Sequence, residues 1–193
     1  MQSGELHRLL LHVQGARGIA RRYFITNGFD GALTMLGLMI GFFLSEHVDV
    51  SVAIKACLGA AVALCMSGLS SAYLSESAER KKELHELEQA LIADLGNSDV
   101  GRASRLVPVV VALVNGLSPL LISLTIMTPL WMTQQGITLP LSPFLVASFI
   151  ALLLMFLLGV LLARLSREFW LWSGLRALAI AAGTALVIVV ISV

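Results

Sequence analysis

Charge is scarce in this sequence. Of its 193 residues only 13% are Asp, Glu, Lys or Arg, against about a quarter in ordinary soluble domains. Hydrophobic residues make up 58%, and the mean hydropathy is +0.89. So much apolar surface excludes both a soluble globule and a disordered chain. A basic excess is also missing. Thirteen Lys and Arg face twelve Asp and Glu, for a formal net charge of +1, so nothing in the bulk charge points to nucleic acid. The two cysteines, Cys57 and Cys65, make no disulfide framework. Their spacing is roughly 12 Å along a helix, too far for one bridge or one shared metal ion. No Ser–His–Asp set, zinc motif, phosphate loop or nucleotide fingerprint occurs. The chain is therefore read as an integral membrane protein and not as an enzyme.

What is present is long apolar runs. A helix needs roughly 20 mainly apolar residues to cross the bilayer core. Five stretches meet this, at 23–44, 50–74, 107–132, 143–165 and 170–193, separated by polar stretches at 45–49, 75–105, 133–142 and 166–168. None shows the alternation of a membrane β-barrel. The expected fold class is all-α, with five transmembrane helices and the second extending into a glutamate-rich helix. The expected organisation is an N-terminal segment at 1–20, spans one and two at 21–75, an acidic helix and linker at 76–106, and spans three to five at 107–193.

The cations set the expected orientation. Arg8, Arg17, Arg21 and Arg22 precede the first span. Arg80, Lys81, Lys82, Arg102 and Arg105 fall in the second connection, and Arg164, Arg167 and Arg176 fall around the fourth. Twelve of thirteen thus share one side, Lys55 being the exception. The positive-inside rule then puts the N-terminus inside and the C-terminus outside. The first residues lack the features of a cleaved signal peptide. Leu6, Leu9, Leu10 and Val13 recur at helical spacing, as in a short interfacial helix, and a frayed polar tail is the alternative.

Asp30 is the outlier. A carboxylate about two turns into the first span costs on the order of 3 kcal/mol near the bilayer centre, and such groups commonly face a bundle interior or an ion path. Asn27 lies one turn before it and Thr34 one turn after, on the same helical face. The opposing reading is a carboxylate paired with Arg22 or Lys55 for packing alone.

The second span carries Cys57, Cys65 and Met66, soft ligands in principle but ordinary core fillers in practice. Gly59, Ala63, Ser67 and Ser71 repeat every four residues, and Gly37 and Gly41 form a GxxxG pair. Both are helix-packing patterns, suited to a dimer. The third span contains Asn115, Gly116, Pro119 and Pro129. Its prolines either kink the helix or free carbonyls along a conducting path.

In the second connection Glu76, Glu79, Glu83 and Glu86 share one helical face, with His85 and Glu88 beside them. Hard and borderline divalent cations favour such carboxylates. The interleaved Arg80, Lys81 and Lys82 equally allow a solvated helix laced by pairs such as Lys82–Glu86 and Glu79–Lys82.

These residues together resemble the vacuolar iron transporter family of divalent-metal exchangers. Arg22 followed by Asp30-Gly31 is similar to the family's Arg…Asn-Asp-Gly signature. Ser67-Gly-Leu-Ser-Ser-Ala-Tyr73-Leu-Ser75 before a glutamate-rich helix is similar to its Ser-Met-Ala-x-Gly-Glu-Tyr-x-Ser segment. Asn115-Gly-Leu-Ser-Pro119 and Phe156-Leu-Leu-Gly159 extend the likeness over essentially the whole chain. The sequence departs at Phe29, where the family has Asn, and at Gly68 and Ala72, where it has Met and Glu. The second connection also has room for one glutamate-bearing helix, not for three.

The resemblance implies a homodimer in the lipid bilayer that exports Fe²⁺ or Mn²⁺ from the cytoplasm, in exchange for protons. The metal ion would be substrate, with no permanently bound cofactor and no nucleic-acid partner. Asp30 would be the ligand or proton carrier in the membrane, with Asn27, Thr34 and Asn115 along the path. Glu76, Glu79, Glu83 and Glu86 would bind metal at the cytoplasmic mouth. The membrane would be the cell membrane of a prokaryote or a vacuole-like organelle membrane of a eukaryote. A relative that has lost transport and serves as a membrane interaction or regulatory protein is the alternative.

Overall fold

The structure is a computed structural model of the chain. It describes residues 3–45, 48–166 and 168–192, with side chains from Gly18 onward. The described residues form six helices: α1 (Ser3–Leu44), α2 (Val50–Leu91), α3 (Asp99–Ile126), α4 (Thr128–Gln134), α5 (Pro143–Ser166) and α6 (Trp170–Ser192). Five of these, all but α4, are long and apolar enough to cross a membrane, and the protein is an integral membrane protein on that ground.

Two helices outrun the bilayer. α1 and α2 each have 42 residues, roughly 63 Å at the rise of an α-helix and about twice the hydrocarbon thickness. In α1 the N-terminal segment, expected as a short interfacial helix or a frayed tail, is helical and continuous with the first span. Gly15 and Gly18 lie at the junction with no proline, and a glycine in a helix interior costs only about 1 kcal/mol. The side chains of Leu6, Leu9, Leu10 and Val13 lie outside the described residues. In α2 the apolar half runs without a break into the segment bearing Glu76, Glu79, Glu83 and Glu86.

The third span ends earlier than the sequence suggested. The expected run of 107–132 is split: α3 stops at Ile126 and α4 starts at Thr128. Pro129 sits in the first turn of α4, where its missing N–H costs nothing. Within a continuous helix it would leave the Thr125 carbonyl without a donor. Here the Thr128 hydroxyl donates to that carbonyl at 2.8 Å.

The chain divides into two compact units. The first comprises Met1–Phe24 and Met66–Leu117. Its turn between α2 and α3 is held by side chains: Glu88 Oε1 accepts the Leu95 N–H at 3.0 Å, and Ser98 Oγ accepts the Gly101 N–H at 3.2 Å at the start of α3. Ile92 supplies the left-handed turn residue, with φ of 51°.

The second unit comprises Ile25–Cys65 and Ser118–Val193. Its core holds Met35, Leu36 and Met39 of α1, Ile126 of α3, Leu130 of α4 and Met155 of α5, all essentially inaccessible. Glycines bring its helices close. A Cβ at Gly31 would stand 2.8 Å from Pro119 Cα and 2.9 Å from its carbonyl oxygen. One at Gly159 would stand 2.8 Å from the Ser173 carbonyl oxygen and 3.0 Å from Gly174 Cα. Such small-residue contacts are how helices pack where no hydrophobic force drives them together.

Candidate functional site

At about 100° per residue, α1 has two faces with different chemistry. Ile25, Ala32, Met35, Leu36 and Met39 are buried and lie within one arc. Asn27, Asp30 and Thr34 lie on the order of 150° away from its centre. Asn27 and Thr34 are half-buried and Asp30 is exposed. Gly28 and Gly31 explain why Asp30 points outward. They bring one side of α1 against Leu158, Ser118 and Pro119, and Asp30, between them in sequence, lies well round the helix from that contact.

Among the described residues no ion pair and no side-chain hydrogen bond reaches the Asp30 carboxylate. Lys55, a candidate partner on sequence, is exposed and forms no ion pair with it. It begins the row that continues through Gly59, Ala63, Ser67 and Ser71, each of them also exposed. Gly37 and Gly41 fall on the Asp30 face of α1. Gly41 has nothing within 4 Å of where a Cβ would be, and Gly37 meets only Ile188 Cδ1, at 3.2 Å.

Asn115 belongs to the first unit. It is 4% exposed, and its Nδ2 donates to the Gly68 carbonyl at 2.7 Å. A Cβ at Gly68 would lie 3.0 Å from the Asn115 carbonyl oxygen and 3.2 Å from Gly116 Cα. Asn115 therefore clamps α3 to α2 by its side chain. Gly68 is small because two backbones meet there, and Ala72, one turn on, is also buried.

The glutamates of α2 are engaged differently. Glu76 is only 8% exposed, and its Oε2 lies 3.9 Å from Arg80 Nε. Arg80 Nη1 donates to Glu83 Oε2 at 2.8 Å, and Lys82 Nζ stands 3.8 Å from Glu86 Oε1. Glu79 is exposed with no ion pair among the described residues. Spacing anticipated the Lys82–Glu86 pair. The bridging role of Arg80, four residues after Glu76 and three before Glu83, was missed although the spacing carries it. Among the described residues no three His, Cys, Asp or Glu side chains are grouped so as to hold a metal ion. The four glutamates thus lie on one face but form no ligand cage within one chain. Cys57 and Cys65 are buried free thiols.

No protein-family profile matches the chain, and no solved structure does. It is similar to the uncharacterized protein MJ0645 of Methanocaldococcus jannaschii, with 28% identity over 170 residues, covering 82% of this chain and 81% of that protein.

Proposed function

We propose that the protein is a membrane transporter that exports a divalent metal ion, Fe²⁺ or Mn²⁺, from the cytoplasm in exchange for protons. It works as a homodimer whose α1 helices face each other. The observation that carries this reading is Asp30: a carboxylate with no ion pair or side-chain hydrogen bond among the described residues, in a membrane-spanning helix, on the face turned away from the core.

Left against lipid, that carboxylate costs on the order of 3 kcal/mol, so the face needs cover. Gly37 and Gly41 on the same face suit close approach of a second α1. A two-fold contact there brings two Asp30 carboxylates together. Like charges at short range cannot both stay ionised and uncompensated, so the pair takes up a proton or a cation. Alternation between the two is the chemistry of metal–proton exchange. Asn27 and Thr34 supply oxygen donors beside it, while Asn115 holds the α2–α3 crossing.

The N-terminus lies inside and the C-terminus outside, as the cation distribution directs. The α2 extension then projects into the cytoplasm, where Glu76, Glu79, Glu83 and Glu86 attract cations to the mouth. The membrane is the cell membrane in a prokaryote and a vacuole-like membrane in a eukaryote.

The test is flux. Purified protein in proteoliposomes should carry Mn²⁺ or Fe²⁺ above protein-free vesicles, and Asp30→Asn should abolish the excess. Unchanged flux in that variant removes the role assigned to Asp30.

One observation favours a second reading. Gly68 and Ala72, which stand where the resembled family has Met and Glu, are occupied by helix packing. A relative that keeps the scaffold as an interaction or regulatory protein would show this. It would carry no flux with any metal, and metal titration would find no site sensitive to the four glutamates.

A further inference from the structure

The first unit ends in a tip, where α2 turns into α3, that the transport reading does not use. Residues 87–92 of this tip stand roughly 20–27 Å beyond Leu74, where the expected second span ends. Leu87, Leu91 and Ile92 are 44%, 62% and 94% exposed there. Leu87 and Leu91 are one turn apart on α2, and Ile92 follows directly. The bilayer does not reach them. Exposed apolar side chains grouped in this way mark an interaction site.

Side chains hold the tip in shape. Asp94 Oδ1 accepts the Gly96 N–H at 2.8 Å, Ser98 Oγ donates to the Leu95 carbonyl at 2.6 Å, and Arg105 Nη2 donates to the Gly96 carbonyl at 3.2 Å. Ile92 is a β-branched residue at φ of 51°, a conformation that Gly or Asn takes at lower cost. Strain of this kind persists where the surroundings fix it, and it clusters at ligand clamps and switch regions.

Charge selects the occupant. Between 76 and 105, seven Asp or Glu face five Lys or Arg. Glu88 and Asp94, on either side of Leu91 and Ile92, are answered by the backbone N–H groups of Leu95 and Gly96, which carry no full charge. The tip is therefore apolar with an acidic surround, and a second tip would be repelled by it. The complement lies in the same sequence. Residues 1–22 hold Arg8, Arg17, Arg21 and Arg22 against Glu5, with Leu6, Leu9, Leu10 and Val13 at helical spacing.

The levels also agree. Spans one and two run in opposite directions through the membrane, so the start of α1 and the end of α2 lie on the same side. Residues 6–13 precede Tyr23 by roughly 15–26 Å of helix, close to the reach of the tip. Met1–Phe24 of the same chain already belongs to this unit, yet Leu87, Leu91 and Ile92 are exposed within it. The segment that covers them comes from another copy.

We infer that in the dimer the tip of each protomer, at Leu87, Leu91 and Ile92, receives residues 6–13 of the other protomer's α1. The inference rests on the homodimer proposed above and gives it a contact outside the membrane.

Disulfide cross-linking of the full-length protein in proteoliposomes tests it, with two differently tagged chains coexpressed, one Leu9→Cys and one Leu91→Cys. Cys57 and Cys65 are buried and should not compete. Oxidation should join the two tags in one species. Ile92→Asp in the Leu91→Cys chain, an exposed position that leaves the fold intact, should lower that yield about tenfold or more, the effect of losing one large buried apolar side chain. Asp94→Asn keeps an acceptor for Gly96 and should lower the yield less than about fivefold. Gly41→Cys, on the Asp30 face of α1, reports the dimer independently. If Gly41→Cys cross-links while the tagged pair stays apart, the inference falls and the dimer stands. If neither cross-links, both fall. A chain carrying both Leu9→Cys and Leu91→Cys that closes a disulfide only within itself assigns the tip to its own N-terminal segment and overturns the inference.

Discussion

Two acidic regions of this molecule look alike in sequence and differ in circumstance. On α2, Glu76, Glu83 and Glu86 lie within 4 Å of Arg80 or Lys82. On α1, Asp30 is one carboxylate with no such neighbour among the described residues, on a helix that spans the membrane. Most of the dense cluster is ion-paired, Glu79 excepted, and Asp30 has no such pairing among the described residues. What makes a carboxylate costly, and hence available for work, is the surroundings left to answer it and not the number of acids nearby.

Flux should separate the two acidic regions most strongly. Asp30→Asn should lower metal transport about tenfold or more, the scale seen when groups that hold a metal site are altered. Glu79→Gln together with Glu86→Gln should lower it less than about twofold, since exposed charges contribute little locally. The assay is the initial rate of Mn²⁺ uptake into vesicles at matched protein density.

Stability separates the regions next. Gly31→Ala places a Cβ within 3 Å of the Pro119 backbone, and backbone cannot move aside as a side chain can. The expected loss is about 1–3 kcal/mol, read as a lower melting temperature in detergent. Gly68→Met should cost a similar amount, because the side chain must enter the α2–α3 crossing at Asn115. A stable Gly68→Met protein would show that this crossing yields, and would reopen the position as a metal ligand.

Arg80→Gln should cost less, about 1 kcal/mol. It removes the cation beside buried Glu76, but the Arg80 side chain is itself 27% exposed, so solvent screens much of the loss. The paired variant Glu76→Gln, Arg80→Gln should recover most of it in a double-mutant cycle. No recovery would mean that Glu76 does not depend on Arg80.

Much of the fold was legible beforehand because membrane spans announce themselves by length. Four of the five expected runs end within a few residues of a helix or continue within one. The third did not, because Pro129 was read as lying inside a span, whereas local side-chain chemistry at Thr128 allows a new helix to start there. The continuity of α1 was not legible because the apolar run starts only at 23, whereas the helix also takes in the polar residues before it, glycines included. The site was legible only in part. Helical spacing placed Asn27, Asp30 and Thr34 together, since they share one element. It could not show that Asn115 spends its amide on the Gly68 carbonyl, because that bond joins residues far apart in sequence. Nor could it show which way the Asp30 face turns, which depends on Gly28 and Gly31 pressing the opposite side of α1 into its neighbours.

The central claim is that Asp30, and not the glutamate row, handles the ion. The most direct measurement is Mn²⁺ flux in proteoliposomes of wild type, Asp30→Asn, and a variant with Glu76, Glu79, Glu83 and Glu86 all changed to Gln. Asp30→Asn should fall to the level of protein-free vesicles while the fourfold variant still transports at a reduced rate. Flux that survives Asp30→Asn but vanishes in the fourfold variant would contradict it.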